Sequence, residues 1–236
     1  MENKFGKYLL YAIGEITLVV IGILIALQID TWNDNRKANK SAITNYTNLL
    51  TALQQDSAQV QRTIKLNSIG QRALRKIIPL EKNPELLALG EEQLNDYLYE
   101  ISLSSRSFIP NSGIYNILTS NNGFDLIKSD KIKSALIHLY DYQYKNYVII
   151  DDPTDLKYQH QLGSIIKEKK RLVLEYTPEL VIVQSASPQQ FEMHYMELAA
   201  EVRDIYSLLA YAISNLYEIE KEINDLLSLL REEIGK

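Results

Sequence analysis

The sequence predicts an all-α protein: one N-terminal transmembrane helix followed by an elongated helical bundle. Three observations carry that expectation. Leu9 to Leu27 is an apolar run whose one charge is Glu15. Two long stretches further on repeat apolar residues at alternating steps of three and four, the spacing of a helix face. Only 9 glycines and 6 prolines occur in 236 residues, too few to turn an all-β chain. The chain divides into an anchor with its flanks, 1–37, and a helical-bundle domain, 38–236.

The anchor comes first. Extended to Tyr8 and Ile29, the run gives about 33 Å of helix, enough to cross a hydrocarbon core. Tyr8 and Tyr11 stand at one end and Trp32 at the other, as an aromatic belt requires, with Arg36 and Lys37 just beyond. A cleaved signal peptide is disfavoured, because Leu27-Gln28-Ile29-Asp30-Thr31-Trp32 offers no small-x-small site. Lys4 and Lys7 before the run nearly balance Arg36, Lys37 and Lys40 after it. The short head then favours a cytoplasmic N-terminus and an exported bundle.

A carboxyl inside a bilayer costs a few kcal/mol unless it is protonated, paired or facing water. At about 100° per residue, Glu15 shares a face with Tyr11, Val19, Gly22 and Ala26. Gly22 and Ala26 form a small-xxx-small pair, which lets two helix backbones approach closely. Glu15 then reads as a neutral, hydrogen-bonded residue of a helix oligomer. Its competitors are an ion- or proton-handling carboxyl, as in single-span stator subunits, and a short snorkel to the headgroups.

The first long seam is Ile43, Tyr46, Leu50, Leu53, Val60 and Ile64, with Ser57 in the missing place, running on through Leu74 to Ile78 before Pro79. Nothing from Trp32 to Ser41 breaks a helix, so the anchor is free to continue into this seam. The second seam is Val202, Ile205, Leu209, Ala212, Leu216, Ile219, Ile223, Leu226 and Leu230, on a helix predicted from Pro188 to Ile234 with Ser187 as its cap. Both seams read as bundle core, with an intermolecular coiled coil as the alternative. Residues 31–79 hold eight Lys/Arg against two Asp/Glu, and residues 176–236 hold four against eleven. Opposite charge favours pairing these two helices.

Between them, Pro84 to Leu103 reads as one or two helices and Ser112 to Ser120 as a short one, stopped by Asn121-Asn122-Gly123. Ser129 caps a helix from Asp130 to Ile150. Asp151-Asp152-Pro153 is expected to interrupt it, with the acids capping a next helix that reaches Tyr176. Leu180 to Val183 is too short and isolated to imply a sheet. Tyr140, Tyr142, Tyr144 and Tyr147 crowd one helix and read as core and rim packing with hydroxyls reaching water, or as a partner surface.

The search for chemistry excludes more than it finds. The absence of cysteine removes disulfides, thiolate catalysis and Cys-ligated metals. A net charge of -5 and a pI near 5.4 argue against nucleic acid. There is no P-loop, dinucleotide fingerprint, nucleophile elbow or zinc-protease motif. His138, His160 and His194 lack ligand spacing; His138 and Asp141 can share a surface hydrogen bond. No cofactor and no enzyme activity are expected.

Two stretches carry a resemblance. Lys7 to Lys37 contains a Gly14-Glu15 pair and a Trp32-Asn33-x-x-Arg36-Lys37 exit. Ser107 to Tyr144 contains Asn111, Tyr115, Leu118, Ser120, Gly123, Asp125, Leu126, Ile127 and Asp130 in a recognisable pattern. Together they resemble a family of single-span, membrane-anchored helical proteins of Gram-negative bacteria, defined only as a domain of unknown function. Position 30 is Asp where that family has Asn. The resemblance implies a membrane-anchored helical protein and transfers no activity.

From residues alone, the segment after Asn111 is a structural corner: Asn122-Gly123 is expected to stop a helix in the left-handed conformation, and Leu126-Ile127 to pack inward. The same corner can line a partner pocket. The expected function is a membrane-anchored interaction or scaffold protein that homo-oligomerises through its transmembrane helix or holds a membrane-protein partner. The alternative is a subunit of an ion-coupled or pore-forming assembly with Glu15 as the working group. The lipid bilayer is a partner in both.

Overall fold

The computed structural model describes residues 4–79, 81–120, 123–164, 166, 175–177, 180–182 and 187–235, with side chains from Ile13 onward outside 175–182. The side chains of Tyr8 and Tyr11, the Asn121-Asn122 pair and most of the predicted helix towards Tyr176 lie outside the described residues.

Helix α1 runs unbroken from Lys4 to Arg75. The anchor does continue into the first seam. Thr17, Thr31, Thr44, Thr47 and Thr51 donate their hydroxyls to the carbonyl four residues back, so these polar side chains are satisfied within the helix itself. Every apolar side chain from Ile13 to Ile29 is exposed, and none of the most apolar window is buried. A core helix of a soluble domain would be mostly buried; this one is a single N-terminal apolar helix long enough to cross a membrane.

Burial starts at Ala42 and follows Tyr46, Leu49, Leu53, Val60 and Ile64. Ile43, expected in the seam, is instead 52% exposed. Ala42 and Leu49 take the places assigned to Ile43 and Leu50, on the side where the rod and α8 pack. The chain then turns through short α2 (Pro84–Leu87), where Asn83 Oδ1 accepts the Glu85 amide, and α3 (Glu91–Ser102). An extended strap follows, then α4 (Gly113–Ser120) and a 3-10 turn (Gly123–Leu126).

Ser129 caps α5 as predicted, accepting the Ile132 amide. The helix does not break at Asp151-Asp152-Pro153. α5 (Asp130–Ile137), a π turn (His138–Gln143), α6 (Tyr144–Lys157) and a second π turn (Tyr158–Leu162) form one rod. Proline's fixed φ is helical, and its cost is the lost bond to the carbonyl four residues back. Buried Tyr147, Ile150, Thr154 and Leu162 hold the rod on both sides of Pro153. The Asp cluster therefore caps nothing.

Two strands, β1 (Glu175–Thr177) and β2 (Leu180–Ile182), pair antiparallel with Tyr176 opposite Val181. This corrects the expectation of no sheet: β-branched and aromatic residues favour the extended pair even at three residues each. The last helix is also divided. α7 (Pro188–Met193) ends at His194, whose φ of -103° and ψ of 10° are not helical, before α8 (Tyr195–Ile234). All nine residues of the second seam are buried on α8.

The helices share two stacked cores. Near the anchor, Tyr46, Leu49 and Leu53 of α1 meet Leu136, Tyr140 and Tyr144 of the rod and Ile223, Leu226 and Leu230 of α8. At the far end, Leu74 and Ile77 meet Leu94 and Leu98 of α3 and Tyr195, Leu198 and Val202 of α8. Thus α8 runs antiparallel to α1 and ends back beside Ala42. α8 reaches the rod through the Asp204–Lys157 ion pair at 2.8 Å and a Glu222–His138 hydrogen bond at 3.0 Å. α1 and α8 meet through aliphatic side chains, each worth about 1.5–3 kcal/mol when buried.

One glycine sets how closely the strap lies on α1. A Cβ on Gly70 would stand 2.4 Å from the Ser104 amide nitrogen, a backbone atom that cannot swing away. Gly70→Ala should therefore lower unfolding stability by about 1–3 kcal/mol. Gly113→Ala, whose Cβ would meet nothing closer than 3.6 Å, should leave it unchanged or slightly raised. Denaturant titration of both variants checks the contrast.

Candidate functional site

The concentration of buried polar groups lies where the strap, Leu103 to Ser112, threads between α1 and the rod. Extended backbone in a protein interior must find partners for its amides and carbonyls. Here helix side chains supply them. Asn67 of α1 donates through Nδ2 to the Arg106 carbonyl at 2.9 Å and accepts the Arg106 amide at 3.1 Å. A half-turn of the Gln59 amide gives the same two-way pairing with Ile109, at 2.9 and 3.3 Å. Asp56 Oδ1 accepts the Asn111 amide at 2.9 Å. From the other side, the Tyr147 hydroxyl accepts the Phe108 amide at 3.2 Å. α1 and the rod thus stand in for the neighbours that a strand would have in a sheet.

The tyrosine cluster completes the arrangement. Tyr140, Tyr144 and Tyr147 are buried while Tyr142 is exposed. Their hydroxyls do not reach for water. Tyr144 donates to Asp56 Oδ2 at 2.9 Å, and Tyr147 to Asp151 Oδ1 at 2.8 Å. Tyr115 donates to Asp141, which also accepts Lys145 Nζ at 2.7 Å. The rings of Tyr115 and Tyr140 stack at 4.4 Å, and Phe108 sits edge-on to Tyr144 and Tyr147. His138 contacts Glu222, not Asp141 as expected.

Electrostatics follow from depth. Burial pushes the Asp56 carboxyl above the ordinary range, against the pull of the Asn111 amide and the Tyr144 hydroxyl. Burial also raises Asp151, opposed by hydrogen bonds from Ser107 and Tyr147 and helped by repulsion from Asp155 and Asp152. Asp141, at the surface, is held low by Lys145 and Tyr115. Burial keeps the Tyr144 and Tyr147 phenols protonated, with the facing carboxylates adding to it. Among the described residues no group of three or more His, Asp or Glu side chains could hold a metal ion.

The residues singled out from the sequence separate into three places. Asn111, Tyr115 and Gly123 come together at this network's edge. Gly123 is not left-handed; it opens the 3-10 turn, and its missing Cβ makes room for Leu118, which a Cβ would meet at 2.8 Å. Asp125 and Asp130 face solvent, with Asp130 3.9 Å from Lys133. Glu15, Val19, Gly22 and Ala26 lie exposed on α1, with open space around Gly22. Counting about 100° per residue, that stripe faces away from the side of α1 that packs the bundle. Arg36 stacks on the Trp32 ring at 5.8 Å, and Lys37 lies 3.6 Å from Asp34. Sequence reasoning missed Asp56, Gln59 and Asn67. Their trace was the gap between Leu53 and Val60, where a seam otherwise apolar turns polar.

The chain belongs to a family of unknown function, DUF6090. The family's pattern matches residues 15–192, about three quarters of the chain. No curated protein and no solved structure gives a match. The family's extent takes in the apolar helix, the strap, the corner and the rod. It stops at Glu192, although α8 lines one side of both cores.

The network yields a test with a definite sign. A carboxyl raised by folding costs stability while ionised, and that cost fades as pH falls through its folded value. Asp56→Asn removes the titration, so the melting temperature of the parent relative to this variant should rise as pH falls from neutral towards the ordinary carboxylate range. A constant difference would contradict the burial of a titrating Asp56. Asp56→Ala orphans the Asn111 amide and the Tyr144 hydroxyl and should cost about 2–4 kcal/mol, read by denaturant titration.

Proposed function

We propose that this chain is a membrane-anchored, non-enzymatic interaction or scaffold protein that homo-oligomerises through its transmembrane helix. The observation that supports it most directly is α1 itself. One helix carries an unburied apolar stretch and then the central seam of the bundle, so whatever the anchor does is passed rigidly to the domain above it. Over 72 residues α1 is about 108 Å long. The buried carboxylates Asp56 and Asp151 are spent on the strap and on tyrosine hydroxyls.

The oligomer face is the stripe of Glu15, Gly22 and Ala26. It points away from the bundle, so two copies can approach there without their domains colliding. Glu15, on that face, is shielded from lipid by the second helix. The bundle lies in the periplasm of a bacterial cell, and Trp32, Arg36 and Lys37 mark the outer boundary of the inner membrane. A coiled-coil contact between copies continues the seam above the membrane only weakly, because Arg62 and Lys65 approach the same face.

Two experiments test this. Gly22→Leu, which fills the close-approach position, should shift the detergent-solubilised protein towards monomer, read by analytical ultracentrifugation. Glu15→Gln should leave the oligomer in place; a growth or ion-flux defect from that variant alone would favour the ion-coupled reading. Because the chain has no cysteine, Thr51→Cys gives a single thiol on the exposed side of α1. An impermeant maleimide should label it in spheroplasts if the bundle is periplasmic, and only after lysis if it is cytoplasmic.

A further inference from the structure

The bundle has an end that faces the anchor, and the corner after α4 forms it. The Lys128 amide donates to the Tyr46 hydroxyl at 3.2 Å, and Lys128 Nζ reaches Asn39 Oδ1 at 2.7 Å. Asn39 is seven residues past Trp32, about 10 Å of helix rise. Headgroups extend about 5–8 Å beyond the hydrocarbon edge, so this end of the domain hangs at the lipid surface rather than on a long stalk. The first turn of α5, with Lys131 and Lys133, and the last turn of α8 lie at the same end.

Charge there is unevenly spent. Lys37 lies 3.6 Å from Asp34 and Lys133 lies 3.9 Å from Asp130, so those four largely cancel. Lys128 Nζ bonds a neutral amide rather than a carboxylate there. Lys40 and Lys131 are exposed, and Arg36 lies over the Trp32 ring. Asp30 and Asp125 are also exposed on α1 and the corner, and Glu232 and Glu233 belong to the α8 end. Beside these cations sit apolar groups: Ile43, 52% exposed, and half-buried Phe124 and Leu126. Cations flanking a small apolar surface, held within about a Debye length of a bilayer, suit anionic headgroups.

We propose that this end of the bundle, through Lys40, Lys128 and Lys131, docks on anionic lipid headgroups and holds the domain upright against the membrane. The inference rests on the membrane-anchor reading of α1. It gives the corner around Gly123 to Asp130 a partner: a lipid surface, recognised by phosphate charge.

The full chain, reconstituted in nanodiscs, tests it. One set of discs contains phosphatidylcholine alone, the other one-third phosphatidylglycerol. Each lysine's reactivity towards a water-soluble acylating reagent is then read by mass spectrometry. Lys40, Lys128 and Lys131 should react about fivefold more slowly in the anionic discs, with the difference lost at high salt. Lys157 and Lys221, on the rod and on α8 away from this end, should not change. Lys131→Glu, at a helix N-terminus where an acid is tolerated, should weaken the protection of Lys40 and Lys128. Equal reactivity in both discs, or a uniform change in all lysines, overturns the docking while leaving the anchor intact. Failure of the chain to enter discs at all overturns the anchor reading itself.

Discussion

The structure depends on one helix serving two solvents. α1 spends its first part among side chains that no protein atom covers and its second part as the central wall of a bundle, with no break from Lys4 to Arg75. A flexible joint after Trp32 would have separated the two tasks. Without one, the rotation of the bundle about the membrane normal is set by helix phase alone. Ala42, Tyr46 and Leu49 look one way, while Glu15, Gly22 and Ala26 look the other. The rod and α8 are built against the first of these faces, and the second stays exposed through the apolar part of the helix.

The buried polar network is the other consequence of that wall. Beside α1 the chain places an extended strap where a helix would bury more apolar surface. The strap brings amides and carbonyls that need partners, and α1 answers with Asp56, Gln59 and Asn67 while the rod answers with Tyr147. Such a network is worth having only when every member is satisfied. It also fixes register: Gly70 must lie under Ser104, and Asn67 beside Arg106, or the whole set of bonds fails together. Asp56 and Asp151 give up part of their solvation to this end, which is why burial raises both.

Periodic segments were legible in advance and aperiodic ones were not. All nine apolar positions of the second seam are buried on α8 as the three-four spacing predicts, because an amphipathic helix against a core leaves one solution. On α1 the same reasoning slipped by one position at Ile43, because two neighbours, the rod and α8, share that face and widen the buried stripe. Pro153 misled in the other direction, since its cost is local and the contacts of Tyr147, Ile150, Thr154 and Leu162 outweigh it. The strap left no period to read. Its signal was indirect, a polar interval at Asp56-Ser57 in one helix and an excess of tyrosines on another, and only the fold brings Asp56 and Tyr144 within 2.9 Å.

The charge asymmetry between the two long helices had suggested an ionic pairing, and its resolution bears on how the molecule meets its surroundings. α8 sends Asp204 and Glu222 to the rod, and the α1–α8 seam is aliphatic. An aliphatic seam loses nothing to salt, whereas surface ion pairs weaken as counterions screen them. The cations of α1 are thereby left for other uses. At its base the corner brings Lys128 to Asn39, seven residues past Trp32. Salt therefore leaves the α1–α8 seam untouched and screens the exposed contacts that join α8 to the rod.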